Sequence, residues 1–400
     1  MVYNRIHMRR LLVLLASVVL ASAETANERV DRLLRENILI DTHVDTPWYM
    51  VDENYNLGEE YRYYQTDIPR LRRGHVGAVF FGIPVEPQNF PPHLWIPRAL
   101  DLIDAVQQQA RQYSRDLEIA LTSEDIRRIH RDGKIAILMG VEGGHMIQDS
   151  LPVLRTYYRL GVRYMTLTHF KTNDWADSSA DVAAHNGLSQ FGRDVVREMN
   201  RLGMMVDISH VSDKTFYDVL EASRAPVIAS HSSLRALCDI PRNMSDDMIR
   251  ALARKGGLVN INFNIAYLDR KAYDRFAQFH DQRDREIADM MSLNAGDSRR
   301  WEMKRAIQER YRAGLPKVGL DAVLHMIDHA VKVAGVDHVG FGSDFDGVSG
   351  MVPTGMEDVS KYPDLVRGLI DLGYSDDDLR KIMGENLLRV MRAAEEAAGK

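Results

Sequence analysis

Short apolar runs rich in Ile, Val and Met recur along the chain, each closed by Gly, Pro, Asn or Asp, and such runs read as β-strands. Eight stand out: "ILIDTHVD" (38–45), "VGAVFFGIPV" (76–85), "KIAILMGVEGG" (134–144), "VRYMTLTH" (162–169), "GMMVDISH" (203–210), "APVIASH" (225–231), "GLVNINFN" (257–264) and "HVGFGSDFDG" (338–347). Most are nearly continuous in apolar character, as parallel strands buried on both faces should be. Helical patterns fill the intervals. "SDKTFYDVLEAS" begins at an N-cap, Ser212, and "SDDMIRALARKG" runs from Ser245 to Gly256. Eight strands alternating with helices predict an α/β fold, a (β/α)8 barrel of the TIM type. The interval 265–337 is too long for one crossover, and its charged helical stretches predict an insertion over residues 265–315, before the last strand. No linker rich in Gly, Pro or Ser divides the chain, so residues 24–400 read as one domain.

The first residues break this pattern. Arg5, Arg9 and Arg10 precede "LLVLLASVVLA", and Ala21-Ser22-Ala23 follow. A positive start, a short apolar core and an A-x-A end describe a secretory signal peptide over residues 1–23. The expectation is an exported protein, periplasmic or secreted, without a stable membrane anchor once the peptide is removed. Cys238 is the only cysteine, so no intrachain disulfide can form and stability must come from the core. A formal net charge of -6 offers no basic field for nucleic acid.

Polar groups at the strand tips carry the chemistry. On a strand, positions i and i+2 share a face, so His43 and Asp45 aim at one point. Taken alone, that pair is either a structural hydrogen bond or two ligands of one metal. Six of the eight strands end in such groups: His43 with Asp45, Glu142, His169, His210, His231 and Asp344. The C-terminal strand ends are where such a barrel places its active site. Burying all these groups together needs a shared compensating charge, and a metal centre supplies one. His210 and His231 lie one helical unit apart, on neighbouring strands about 5 Å from each other, and can share an ion. His43 and Asp45 can hold a second, with Glu142 as the bridge. Imidazole and carboxylate ligands without thiolate suit Zn²⁺, with Mn²⁺ or Co²⁺ as substitutes. Two metals roughly 3.5–4 Å apart activate a water and polarise a carbonyl, which is machinery for hydrolysis.

The segment "VEGGHMIQDSLPVLRTYYRLGVRYMTLTH" (141–169) closely resembles the signature of the membrane (renal) dipeptidase family, a branch of the metal-dependent amidohydrolases. "DTHVDTPW", "DISHVS", "PVIASHSS", the arginine of "PRNMSDD" and "GSDFDGV" fall in the family's order and spacing. The resemblance extends from about residue 35 to the C-terminus and is weakest over the insertion. It implies one zinc on His43, Asp45 and Glu142 and another on Glu142, His210 and His231. It also implies that His169 contacts the substrate carbonyl, that Arg242 binds the dipeptide's C-terminal carboxylate, and that Asp344 touches the bridging water. A guanidinium fork suits a carboxylate, and a nearby Asp can relay a proton. Val44 departs from the family's common Asn, and the cysteines and lipid-anchor tail of animal members are absent. A homodimer is left open.

Other signals are weaker. His325 and His329 have the spacing of a zinc helix but lack its glutamate, and read as ordinary helix-surface residues. His145 reads as a loop histidine, Trp48 and Tyr49 as a cleft wall or packing, Asp174, Trp175 and Asp177 as mouth residues, and Cys238 as buried filler. The expected protein is an exported binuclear zinc dipeptidase using a metal-bridging hydroxide on a small dipeptide substrate. The rivals are another amidohydrolase activity, on N-acyl amino acids or lactams, and a secreted binding protein without catalysis.

Overall fold

The computed structural model describes residues 24–399. The signal-peptide reading over residues 1–23 lies outside the described residues. Nine parallel strands form one sheet: β1 (Leu39–Val44), β2 (Val76–Pro84), β3 (Leu117–Ile119), β4 (Ile135–Glu142), β5 (Val162–Thr166), β6 (Met205–Asp207), β7 (Ile228–Ser232), β8 (Leu258–Ile261) and β9 (Val339–Phe341). Their order is β2-β1-β9-β8-β7-β6-β5-β4-β3, and β2 also pairs with β4, from Ala78 opposite Ala136 to Pro84 opposite Glu142. That pairing closes an eight-stranded barrel, the (β/α)8 architecture. β3 is the one element beyond the eight expected. It is three residues long and pairs only with the start of β4, Leu117 against Ile135, so it extends the sheet outside the ring.

The strands are buried along their whole length, apart from two residues of β3. Ile, Val, Leu, Met and Phe fill both faces, and that burial drives closure. Helix starts follow local chemistry. Ser212 accepts a hydrogen bond from Thr215 N ahead of helix Asp213–Ala222, and Ser245 accepts one from Met248 N ahead of Asp246–Arg254. Among the described residues no helix is long and apolar enough to cross a membrane.

Between β8 and β9 four helices precede the outer helix Leu320–Ala334: Ile265–Leu268, Arg270–Ala277, His280–Leu293 and Arg300–Arg312. The last two bury no residue, which accords with their charged sequence. Helix Arg300–Arg312 is tied to the barrel mouth through polar side chains. Arg305 pairs with Glu53 at 2.5 Å, and Gln308 donates to Ser349 Oγ at 3.0 Å. Arg312 donates to the Ser349 carbonyl at 3.3 Å. Glu53 follows β1 and Ser349 follows β9, so the insertion bridges two of the loops beside the strand tips.

Candidate metal centre

Glu142 closes β4 and is the hub of the strand tips. Its Oε1 lies 3.2 Å from His210 Nε2 and 3.2 Å from His231 Nε2. The same oxygen is 3.6 Å from His43 Nε2 and 3.6 Å from His169 Nε2. His210 Nε2 and His231 Nε2 face each other at 2.9 Å, and His43 Nε2 is 3.4 Å from Asp45 Oδ1. Three groups of ligand atoms are close enough to hold an ion: His43, Glu142 and His231; Glu142, His169 and His210; and His43, Asp45 and Asp344. The structure thus brings together all seven predicted tip residues. Their grouping differs from the expected partition, because His169 and Asp344 also stand within ligand reach.

The strands end earlier than the apolar runs suggested, and this sets how the side chains are aimed. His169, His210 and Asp344 each lie three residues past a strand end, in β5, β6 and β9 respectively. His210 and Asp344 adopt left-handed backbone, φ 65° and 64°. Neither is glycine, and such a conformation in a buried residue marks a position held for its side chain. Gly82 on β2 leaves the space for Asp45, since a Cβ there would come within 2.3 Å of its Oδ1.

Hydrogen bonds behind two of the imidazoles decide which nitrogen is free. Tyr164 OH donates to the Thr42 carbonyl at 3.1 Å, so its oxygen accepts from His43 Nδ1–H at 2.7 Å. Ser230 Oγ donates to Asp207 at 2.6 Å and therefore accepts from His231 Nδ1–H at 2.8 Å. With Nδ1–H committed in this way, loss of a proton from either ring frees the Nε2 lone pair toward the cluster, the tautomer a metal requires. His43 Nε2 and Asp45 Oδ1 are buried without hydrogen-bond partners. Two nitrogens on one tetrahedral zinc at about 2.0–2.1 Å would be roughly 3.3 Å apart, close to the observed contacts. The donor set and its geometry fit a divalent metal.

The charges reinforce this. Burial, joined by the Arg242 charge, holds His210 well below the ordinary histidine range, and burial with His43 does the same to His231. Burial favours a neutral Glu142, but His169, His43 and the other imidazoles hold it well below its usual range. Burial and the neighbouring Asp45 push Asp344 up to about 7. Opposed shifts packed into one cleft are characteristic of reactive centres.

Arg242 is nearly buried beside this cluster. It donates to Ser232 Oγ at 2.8 Å and to the His231 carbonyl at 2.6 Å, and its guanidinium lies 5.3 Å from the Tyr267 ring. None of these partners is a carboxylate, and Nε has no hydrogen-bond partner. The sequence reading missed three contributors. Tyr164 and Asp207 brace the ligands from behind, and Glu86, two residues past β2, has its Oε1 3.4 Å from His169 Nδ1. The other signals resolve as packing. Trp175 is fully buried and Asp177 accepts from the backbone N–H groups of Ala184, His185 and Gly187, so neither lines the mouth. His329 bonds Asp246, His145 bonds the Val85 carbonyl, and Cys238 is buried. A cavity of about 390 Å³ lies between the insertion and the loops after β1 and β9, with Asp346 in its wall, and no ligand residue lines it.

The family described as membrane dipeptidase (peptidase family M19) matches residues 27–400. The chain belongs to this family. An uncharacterized dipeptidase of Schizosaccharomyces pombe is 35% identical over 393 residues, covering 93% of this chain and 84% of the relative. The solved structure of the probable dipeptidase PvdM from Pseudomonas aeruginosa superposes with a TM-score of 0.80 at 28% identity, covering 93% of this chain and 99% of that one. A metallo peptidase from Rhodobacter sphaeroides, solved with a phosphinate mimic of the dipeptide L-Ala-D-Ala, gives a TM-score of 0.72 at 25% identity, covering 90% and 99%. For this M19 member, the buried histidine and carboxylate groups at the barrel mouth are the place for a divalent metal.

Proposed function

We propose that the protein is an exported binuclear zinc dipeptidase that cleaves dipeptides with a free C-terminal carboxylate. The observation that carries this reading is Arg242, a buried guanidinium with no acidic partner among the described residues, set beside a cluster of ligand atoms that fits divalent ions. Membership of the dipeptidase family and the dipeptide mimic bound by the Rhodobacter sphaeroides relative support it. His43, Asp45 and Glu142 would hold one zinc, and Glu142, His210 and His231 the other. When bound, the ions would supply a water activated at neutral pH and a Lewis acid for the scissile carbonyl.

The chain's own groups do the rest. Arg242 binds the carboxylate and so fixes which peptide bond faces the cluster. His169 Nε2 points into the cluster beside Glu142 and donates to the carbonyl oxygen as negative charge builds there. Asp344, steadied by Asn262 Nδ2 at 2.9 Å, takes a proton from water and passes it to the departing amine. The signal-peptide pattern of residues 1–23 supports export, and N-terminal sequencing of the mature protein tests it.

The dipeptide reading is tested by comparing acid and C-terminally amidated dipeptides. A desolvated guanidinium–carboxylate fork is worth roughly 1.5–3 kcal/mol, so amides should be poorer substrates by about ten- to a hundredfold in kcat/KM. Arg242→Ala should erase most of that ratio, and Arg242→Lys should restore only part of it, because a point charge cannot bind bidentately. A ratio unchanged by Arg242→Ala would remove Arg242 as the carboxylate receptor.

A further inference from the structure

A dipeptide is a zwitterion, and the barrel mouth carries an anion placed to meet its other end. Around the closed ring, β2 and β7 are four strands apart in either direction, so they lie diametrically opposite each other. Arg242 follows β7, and Glu86 follows β2. The cluster around Glu142 occupies the space between them. Glu86 is mostly buried, with 15% of its side chain exposed, and its neighbours are His169 at 3.4 Å and Gln88, which donates to Oε2 at 2.8 Å. Among the described residues no lysine or arginine forms an ion pair with it. Its one cationic neighbour is His169, an imidazole that is positive only when protonated and is shared with Glu142, so among the described residues no permanent cation completes this carboxylate and no acid completes Arg242. Burying such a group is costly unless a ligand completes it.

We infer that Glu86 receives the α-ammonium group of the substrate, so that Glu86 and Arg242 together measure an unblocked dipeptide across the barrel mouth. This rests on the dipeptidase reading and adds the requirement for a free amino terminus. The geometry is consistent in direction. With the carboxylate at Arg242 and the scissile carbonyl at the cluster, the amino group of the first residue falls on the far side, toward β2. Gln88 Nε2 holds one oxygen of the carboxylate and His169 faces the other. The competing role for Glu86 is to orient His169 alone, which would affect every substrate alike.

The two roles separate when alanyl-alanine is compared with propionyl-alanine, which lacks only the amino group. In the wild-type zinc-loaded protein the ratio of kcat/KM should favour alanyl-alanine by about ten- to a hundredfold. Glu86→Gln and Glu86→Ala should bring that ratio close to one, chiefly by raising KM for alanyl-alanine. Calorimetry with phosphinate analogues of the two compounds gives a readout free of turnover. The amino-bearing analogue should bind wild type about ten- to a hundredfold more tightly than its des-amino counterpart, and Glu86→Gln should abolish the difference. Equal binding of both analogues by wild type, or an equal loss of kcat on both substrates in Glu86→Gln, would overturn the assignment and leave Glu86 as a brace for His169. Wild type binding neither analogue would overturn the dipeptidase reading with it.

Discussion

Glu142→Gln is expected to strip the protein of metal and to lower kcat/KM by on the order of a thousandfold or more. Glu142 Oε1 stands within 3.6 Å of four imidazole nitrogens, and among the described residues no other carboxylate is central in this way. Removing its charge leaves divalent ions facing a mostly neutral set of nitrogens in a buried site. An ion at such a site contributes several kcal/mol of charge stabilisation, which sets the scale of the loss. Elemental analysis after saturation with zinc should give close to two ions per wild-type chain and well under one in Glu142→Gln. His210→Ala should mainly empty one position. A Glu142→Gln protein that retains two ions with wild-type affinity would end the bridging role, and a saturated wild type holding no more than one ion would end the binuclear reading.

Asp344→Asn should cut kcat by about a hundred- to ten-thousandfold while metal content and KM stay near wild type. The reasoning is geometric. Asp344 sits beside His43 and Asp45, and its backbone is held left-handed, so the side chain is presented to the cluster at a conformational cost. Asn keeps the shape but cannot accept a proton. An Asp344→Asn enzyme with near-normal kcat would show that the proton leaves by another route.

The barrel was legible in the chain because each of its strands is an almost unbroken apolar run, from "ILI" at Ile38 to "HVGF" at His338. β3 was not, since three residues flanked by Asp116 and Ala120 give no periodicity to read. The ligand residues were visible as ionisable groups at the ends of apolar runs. Their supports were hidden for a different reason. Tyr164 meets His43 across 121 positions of chain, and the contact appears only once β4 and β5 have closed the ring past β1 and β2. Glu86 lies in "PVEPQN" (84–89), a stretch of no distinct pattern, and only the ring geometry sets it opposite Arg242. The left-handed turns at His210 and Asp344 carry no glycine and so left no local mark.

The two outer helices of the insertion between β8 and β9 are joined to the mouth by ions and dipoles, while its first two helices and the barrel beneath are joined by oil. Helices His280–Leu293 and Arg300–Arg312 bury no residue, and their attachments run through Arg305, Gln308 and Arg312. Electrolyte shortens the reach of charge to about 3 Å at 1 M, and it leaves apolar packing intact or strengthens it. Brine therefore acts on the two parts in opposite senses. Concentrated salt should loosen the bridge between the loops after β1 and β9 and widen access to the cleft, while the strands that hold the histidines stay closed.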